Sequence, residues 1–146
     1  MSKSKTFWDN ASKNYDKTEE RFEYIHHKSR ENTKKHLESS NVVLDYGCGT
    51  GTTACEIAND VKDIYAIDIS SKMIEISKGK AAEKNIENVT FAEGDIFDKK
   101  LKKESFDRIL AFNMLHTIPN PENAVQRINE SPPKKSTRRI AFMGIK

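Results

Sequence analysis

The chain has 146 residues, enough for one domain with a real core, and its 25 Lys and Arg face 22 Asp and Glu with the signs interspersed except in the tail, for a net charge of +3. That balance argues for a mildly basic globular protein and against a nucleic-acid partner. The N-terminus has no apolar stretch of signal-peptide length and no run is long enough to cross a bilayer, so neither secretion nor a membrane association is expected.

In chain order, residues 5 to 38 are polar, charged and free of Pro and Gly, which predicts two partly buried helices and defines an N-terminal helical cap over 1–40. Trp8, Ala11 and Tyr15 share one helical face, the second helix carries Phe22 and Ile25, and Leu37 is the next apolar anchor. From residue 41 the pattern alternates. Apolar runs at 42–44, 64–67, 89–92, 108–112 and 140–143 read as strands, separated by helices at 52–60, 71–85 and 121–130. The last helix opens with Asn120 as N-cap, Pro121 at the first position and Glu122 on the dipole. This order predicts an α/β fold over 41–146: a doubly wound, mainly parallel, five-stranded sheet. Run 140–143 either closes that sheet or belongs to a disordered tail, because P-P-K-K-S-T-R-R precedes it.

Ligands in such folds bind at the carboxyl ends of the strands, and the first strand here, V-V-L-D-Y, runs into G-C-G-T-G. Gly47, Gly49 and Gly51 allow positive φ and remove Cβ atoms, so backbone can lie against a ligand. The second strand ends at Asp68, 21 residues after Gly47, where a carboxylate can accept both ribose hydroxyls of an adenosine. Ile69 and Met73 follow it as further candidate contacts. After the third strand, Asp95 is placed to take the adenine amine and Ile96 to pack on the ring. After the fourth, Asn113 and His116 stand at the mouth of the same cleft. Thr52 departs from the glycine or alanine of a nicotinamide-dinucleotide fingerprint. Asp45, two residues before Gly47, would repel a diphosphate and stabilise a sulfonium or ammonium. The ligand with adenosine, positive charge and no phosphate is S-adenosyl-L-methionine.

V-L-D-Y-G-C-G-T-G resembles motif I of the class I S-adenosylmethionine-dependent methyltransferases, and Asp68, the Asp95-Ile96 pair and F-D-R-I-L-A-F-N-M-L-H are similar to that family's later motifs. The opening F-W-D-N-A-S-K-N-Y-D resembles the cap of small-molecule members. The resemblance implies a Rossmann-like fold, a small-molecule methyl acceptor, a cytoplasmic enzyme, and Tyr15 closing over the sulfonium. Cys48 would contribute backbone alone. Its partner thiol Cys55 makes no CxxC pair with it and neither has a His-rich neighbourhood, which predicts reduced thiols and no metal. If the acceptor needs a base, His116 is the candidate. The chain departs from the family after helix 121–130, where the family's last two strands have no counterpart. That departure predicts an exposed sheet edge, a possible homodimer through it, and cofactor binding that outlasts turnover. The competing readings are a nucleoside-binding module with little or no turnover and a nicotinamide-dependent oxidoreductase.

Overall fold

The computed structural model describes residues 2–101, 106–112 and 114–130. Among them, β1 (Val42–Tyr46), β2 (Asp63–Asp68), β3 (Val89–Glu93) and β4 (Arg108–Leu110) form a four-stranded sheet in the order β3-β2-β1-β4, every pair parallel. The chain steps outward from β1 to β3 and then crosses back to β4, so strand order reverses beside β1. A crevice therefore opens at its carboxyl end. Run 140–143 and the basic tail lie outside the described residues.

Alternation along each strand sends side chains to two cores. Val43, Ile64, Ala66 and Leu110 pack against Ala54 and Ile57 of α4 (Thr52–Ile57) and Ile74 and Ala81 of α5 (Ser71–Glu83). Leu44, Ile67 and Ile109 face Ala124 and Ile128 of α6 (Pro121–Asn129). Helices thus cover both faces, as predicted, and β1 and β4 are almost wholly buried, but β3 is not. β3 lies at an edge of the described sheet, where Thr90 and Glu93 are exposed.

The N-terminal segment differs from two helices. It folds as α1 (Lys3–Ala11), α2 (Tyr15–Glu19) and α3 (Glu23–Lys34), joined by single 3₁₀ turns at Ser12–Asn14 and Glu20–Phe22. Its apolar residues are too sparse to hold one continuous stripe against the core. Phe22 and Ile25 are 50% and 48% exposed, so neither anchors it. α5 begins where Ser70 Oγ accepts from Met73 N at 3.1 Å, whereas Asn120 occupies the cap position of α6 without a side-chain cap bond, leaving Pro121 to set the first turn.

Two glycines separate packing from propensity. Gly51 has φ +79°, and a Cβ there would lie 2.6 Å from Ser77 Cβ and 3.0 Å from the Phe91 ring; at Gly79, mid-helix in α5, nothing lies within 4 Å. Gly51→Ala is expected to cost roughly 2–4 kcal/mol from left-handed strain plus overpacking, and Gly79→Ala to gain about 0.5–1 kcal/mol. Denaturant unfolding of both variants checks the opposite signs.

Candidate cofactor site

The glycine turn is pinned to the neighbouring strand before any ligand enters. The N–H groups of Gly47 and Cys48 both donate to Ile67 O, at 2.8 and 3.0 Å. All three glycines have positive φ. Gly47 and Gly49 turn their missing side chains toward a cleft, where a Cβ would meet Met114 Cγ at 2.8 Å and the Tyr15 ring at 3.5 Å respectively. Gly51 faces Ser77 instead, so its role is to seat α4 against α5.

Two clefts adjoin over this turn, sharing Tyr15, Gly47 and Phe112. The first, about 260 Å³, is lined by Trp8, Tyr46, Gly49, Asp68, Ile69, Met73, Asp95 and Met114. The second, about 290 Å³, is lined by Asp45, Cys48, Thr50 and side chains of α2 and α3. Each is just under the roughly 300–1,000 Å³ of ordinary ligand sites, so an elongated ligand must use both. The division follows from strand alternation: Asp45 and Tyr46 are consecutive in β1 and leave on opposite faces.

Asp68 organises the first cleft. Its Oδ2 accepts from Gly49 N at 3.0 Å and its Oδ1 from Ser70 N at 2.9 Å, so one carboxylate holds both the glycine turn and the start of α5. Burial raises its pKa against those hydrogen bonds. Each oxygen keeps a further lone pair for a ligand hydroxyl. Across the cleft, Tyr46 Oη donates to Asp95 Oδ1 at 3.1 Å and fixes that carboxylate.

Asp45 is the anomaly. It is 1% exposed, its register neighbours are Ala66 and Leu110, and its Oδ2 has no hydrogen-bond partner among the described residues. Burial, reinforced by the charge of Asp68, pushes its pKa up to about 7. An unpaired buried acid is costly unless a cationic or donating ligand reaches it.

The cap closes over both clefts through polar pins. Trp8 and Tyr15 meet edge to face at 6.2 Å, and Tyr15 lies over Gly49. Lys80 Nζ donates to Asp16 Oδ2 and Thr52 Oγ1, both at 2.9 Å, and to Thr50 Oγ1 at 3.2 Å. Asp9 accepts from the Ser70 hydroxyl, and Arg30, 4% exposed, pairs with Glu56 of α4. Neither α1 nor α2 buries a residue fully. Lys80→Ala is expected to speed amide exchange across residues 3–34 several-fold while the β strands stay protected, as measured by hydrogen exchange.

Of the residues expected from sequence, Tyr15, Gly47, Gly49, Asp68, Ile69, Met73 and Asp95 line the first cleft, and Asp45 and Cys48 the second. Burial pushes the Cys48 thiol up, which keeps it protonated. Three expectations change. Ile96 is fully buried in the core under α6, so its side chain reaches neither cleft. Gly51 packs, as above. His116 is exposed on the 3₁₀ turn Leu115–Thr117 and lines a surface depression with Pro121 and Val125, because that turn directs Met114 and Thr117 inward instead. Asn113 lies outside the described residues. No group of three or more His, Cys, Asp or Glu able to hold a metal occurs among the described residues, and no described helix is long and apolar enough to cross a membrane. Sequence reasoning missed Tyr46, Phe112, Met114 and Lys80. Tyr46 was readable by alternation from Asp45; Lys80, in a helix of ordinary polar pattern, carried no signal.

A parallel sheet with a glycine turn at its switch point, an acid at the end of each of the first two strands and a cap above them defines the class I methyltransferase architecture. Residues 37–138 match the family described as a methyltransferase domain, and the chain belongs to that family. It is 38% identical over 100 residues to the magnesium-protoporphyrin O-methyltransferase of Rhodobacter capsulatus, covering 68% of this chain and 43% of that protein. The solved YcgJ protein of Bacillus subtilis superposes with a TM-score of 0.67 at 30% identity, covering 70% of this chain and 45% of that one. The DhpI–SAH complex shares the fold, with a TM-score of 0.73 at 19% identity over 90% of this chain and 63% of that one. Other relatives are named as RNA methyltransferases. The chain spans less than two thirds of the length of the curated relatives it matches.

The raised pKa of Asp45 makes a stability prediction with a definite sign. Between its ordinary 3.8 and the folded value of about 7 the native state holds the extra proton, so this group's contribution is full below pH 4 and is lost as pH rises to 7. Asp45→Asn is expected to raise the stability of the ligand-free protein at pH 8 by roughly 1–3 kcal/mol, less at pH 4. Thermal unfolding at both pH values checks it.

Proposed function

We propose that the chain binds S-adenosyl-L-methionine across the two clefts and serves methyl transfer to a small-molecule acceptor. The observation that carries this is Asp45, a buried carboxylate with an oxygen unpartnered among the described residues, beside a turn whose alternate residues are glycine. A diphosphate would be repelled there, which disfavours a nicotinamide dinucleotide; an ammonium or sulfonium gives the oxygen its partner. Asp68 would take the ribose hydroxyls, Asp95 the adenine amine through its remaining acceptor capacity, and Gly47 and Gly49 the close backbone approach. Tyr15, half-buried and placed between the clefts, would cover the sulfonium.

When bound, the cofactor supplies an already activated methyl group, so the protein's contribution is alignment and exclusion of water. The cap supplies the second of these. A small molecule is favoured as acceptor by the size of the second cleft, about 290 Å³, and by the interspersed charge of the sequence before its tail. The R. capsulatus relative, named for a porphyrin substrate, is consistent with that choice.

Calorimetric titration with S-adenosylmethionine, S-adenosylhomocysteine and NADH tests the reading. Binding of the first two and not the third is expected, with Asp68→Ala weakening it by roughly 1.5–3 kcal/mol for lost charged hydrogen bonds. NADH binding, or unchanged affinity in the variant, would contradict it.

A further inference from the structure

The roof of the second cleft carries a histidine that the glycine motif does not explain. His26 and Glu19 both line this cleft, and His26 Nδ1 lies 3.0 Å from Glu19 Oε2, with side chains 27% and 24% exposed. The imidazole also stacks on Phe22, ring centroids 6.3 Å apart at 28°. A carboxylate this close to Nδ1 favours the proton on that nitrogen, which leaves Nε2 with its lone pair, the arrangement a general base needs.

The charges around the pair select what enters. Asp16, Glu20 and Glu23 line the cleft from the cap, against Arg30 and Lys80. Arg30 is shared by Glu23 and Glu56, and Lys80 is held by Asp16. Glu20 makes no ion pair among the described residues. A cationic occupant is favoured there over an anionic one.

We propose that the cap side of the second cleft, lined by α2 and α3 and facing the floor where Asp45 meets the cofactor, is the methyl-acceptor site, that it takes a primary or secondary amine entering as its ammonium form, and that His26 is the base that removes the ammonium proton. This rests on the methyltransferase reading above. Glu19 is a positioning residue acting through His26. An ammonium has no lone pair with which to attack. Loss of one proton to His26 Nε2 frees the nitrogen pair, which forms the N–C bond to the methyl group as the S–C pair leaves with sulfur. The product is a methylated ammonium and a neutral thioether. The transferred proton rests on the imidazolium, opposite Glu19, until water takes it.

The test uses the full chain with tritiated S-adenosylmethionine and four probes, benzylamine and putrescine as amines, catechol and 4-hydroxybenzoate as hydroxyl acceptors. Label is expected on an amine at least tenfold above either hydroxyl probe. His26→Gln should lose about 100-fold, within the range for a positioned base, while S-adenosylhomocysteine affinity by calorimetry stays within twofold. Glu19→Gln should lose about tenfold and move His26 off the Nδ1–H tautomer in ¹⁵N NMR. Label on hydroxyl probes alone, label on none while S-adenosylhomocysteine binds, an unaltered His26→Gln rate, or a wild-type Nε2–H tautomer would each overturn the proposal. Failure of S-adenosylhomocysteine to bind would instead overturn the methyltransferase reading beneath it.

Discussion

The site depends on one unfavourable burial. Asp45 is the last residue but one of the central strand β1, lies between Ala66 and Leu110, is 1% exposed, and leaves an oxygen without a partner among the described residues. Ordinary cores replace such a group with an apolar one. Here it sits where strand order reverses and where the backbone that follows carries no side chains. A carboxylate in that position is poorly solvated, so a cation arriving beside it gains more than it would from a surface acid. Binding affinity and fold stability therefore pull in opposite directions at a single residue.

The surrounding structure keeps that arrangement from collapsing. Asp68 holds the glycine turn and the start of α5 with separate oxygens, and Tyr46 holds Asp95. The cleft-lining carboxylates are thus oriented by β1, β2 and the backbone amides that follow them, not by loops alone. The cap is built differently. Its contacts with the sheet domain run through Lys5 to Glu93, Asp9 to Ser70, Asp16 to Thr50 and Lys80, and Arg30 to Glu56. Polar pins of this kind contribute little net stability each and can be exchanged for water. A rigid floor beneath a polar-docked roof suits a cleft that must admit and release an elongated ligand.

What sequence made legible was the part governed by local rules. β1, β2 and their turn could be placed because continuous branched apolar runs and positive-φ glycines have few other uses. Asp68 was legible from spacing alone. Side-chain direction beyond a strand end was not. His116 and Met114 lie two residues apart, and only the 3₁₀ turn decides that the methionine faces inward and the histidine does not. Ile96 read as a ring contact because it follows Asp95, yet it completes the core under α6. His26 was hidden in a polar helical stretch, since its pairing with Glu19 depends on the 3₁₀ turn at Glu20–Phe22 that separates α2 from α3. Long-range pairs such as Lys80 with Asp16 follow from tertiary docking that no window of sequence encodes.

The most direct test of Asp45 as the cation partner is proton counting by calorimetry. S-adenosylmethionine is titrated at pH 7 into wild type and Asp45→Asn in buffers of different ionisation enthalpy. With a folded pKa of about 7 the ligand-free carboxyl is near half protonated, and a bound cation should lower that pKa. The wild type should then release about half a proton more than the variant on binding. Equal proton release in the two proteins, with both binding, would contradict the role assigned to Asp45.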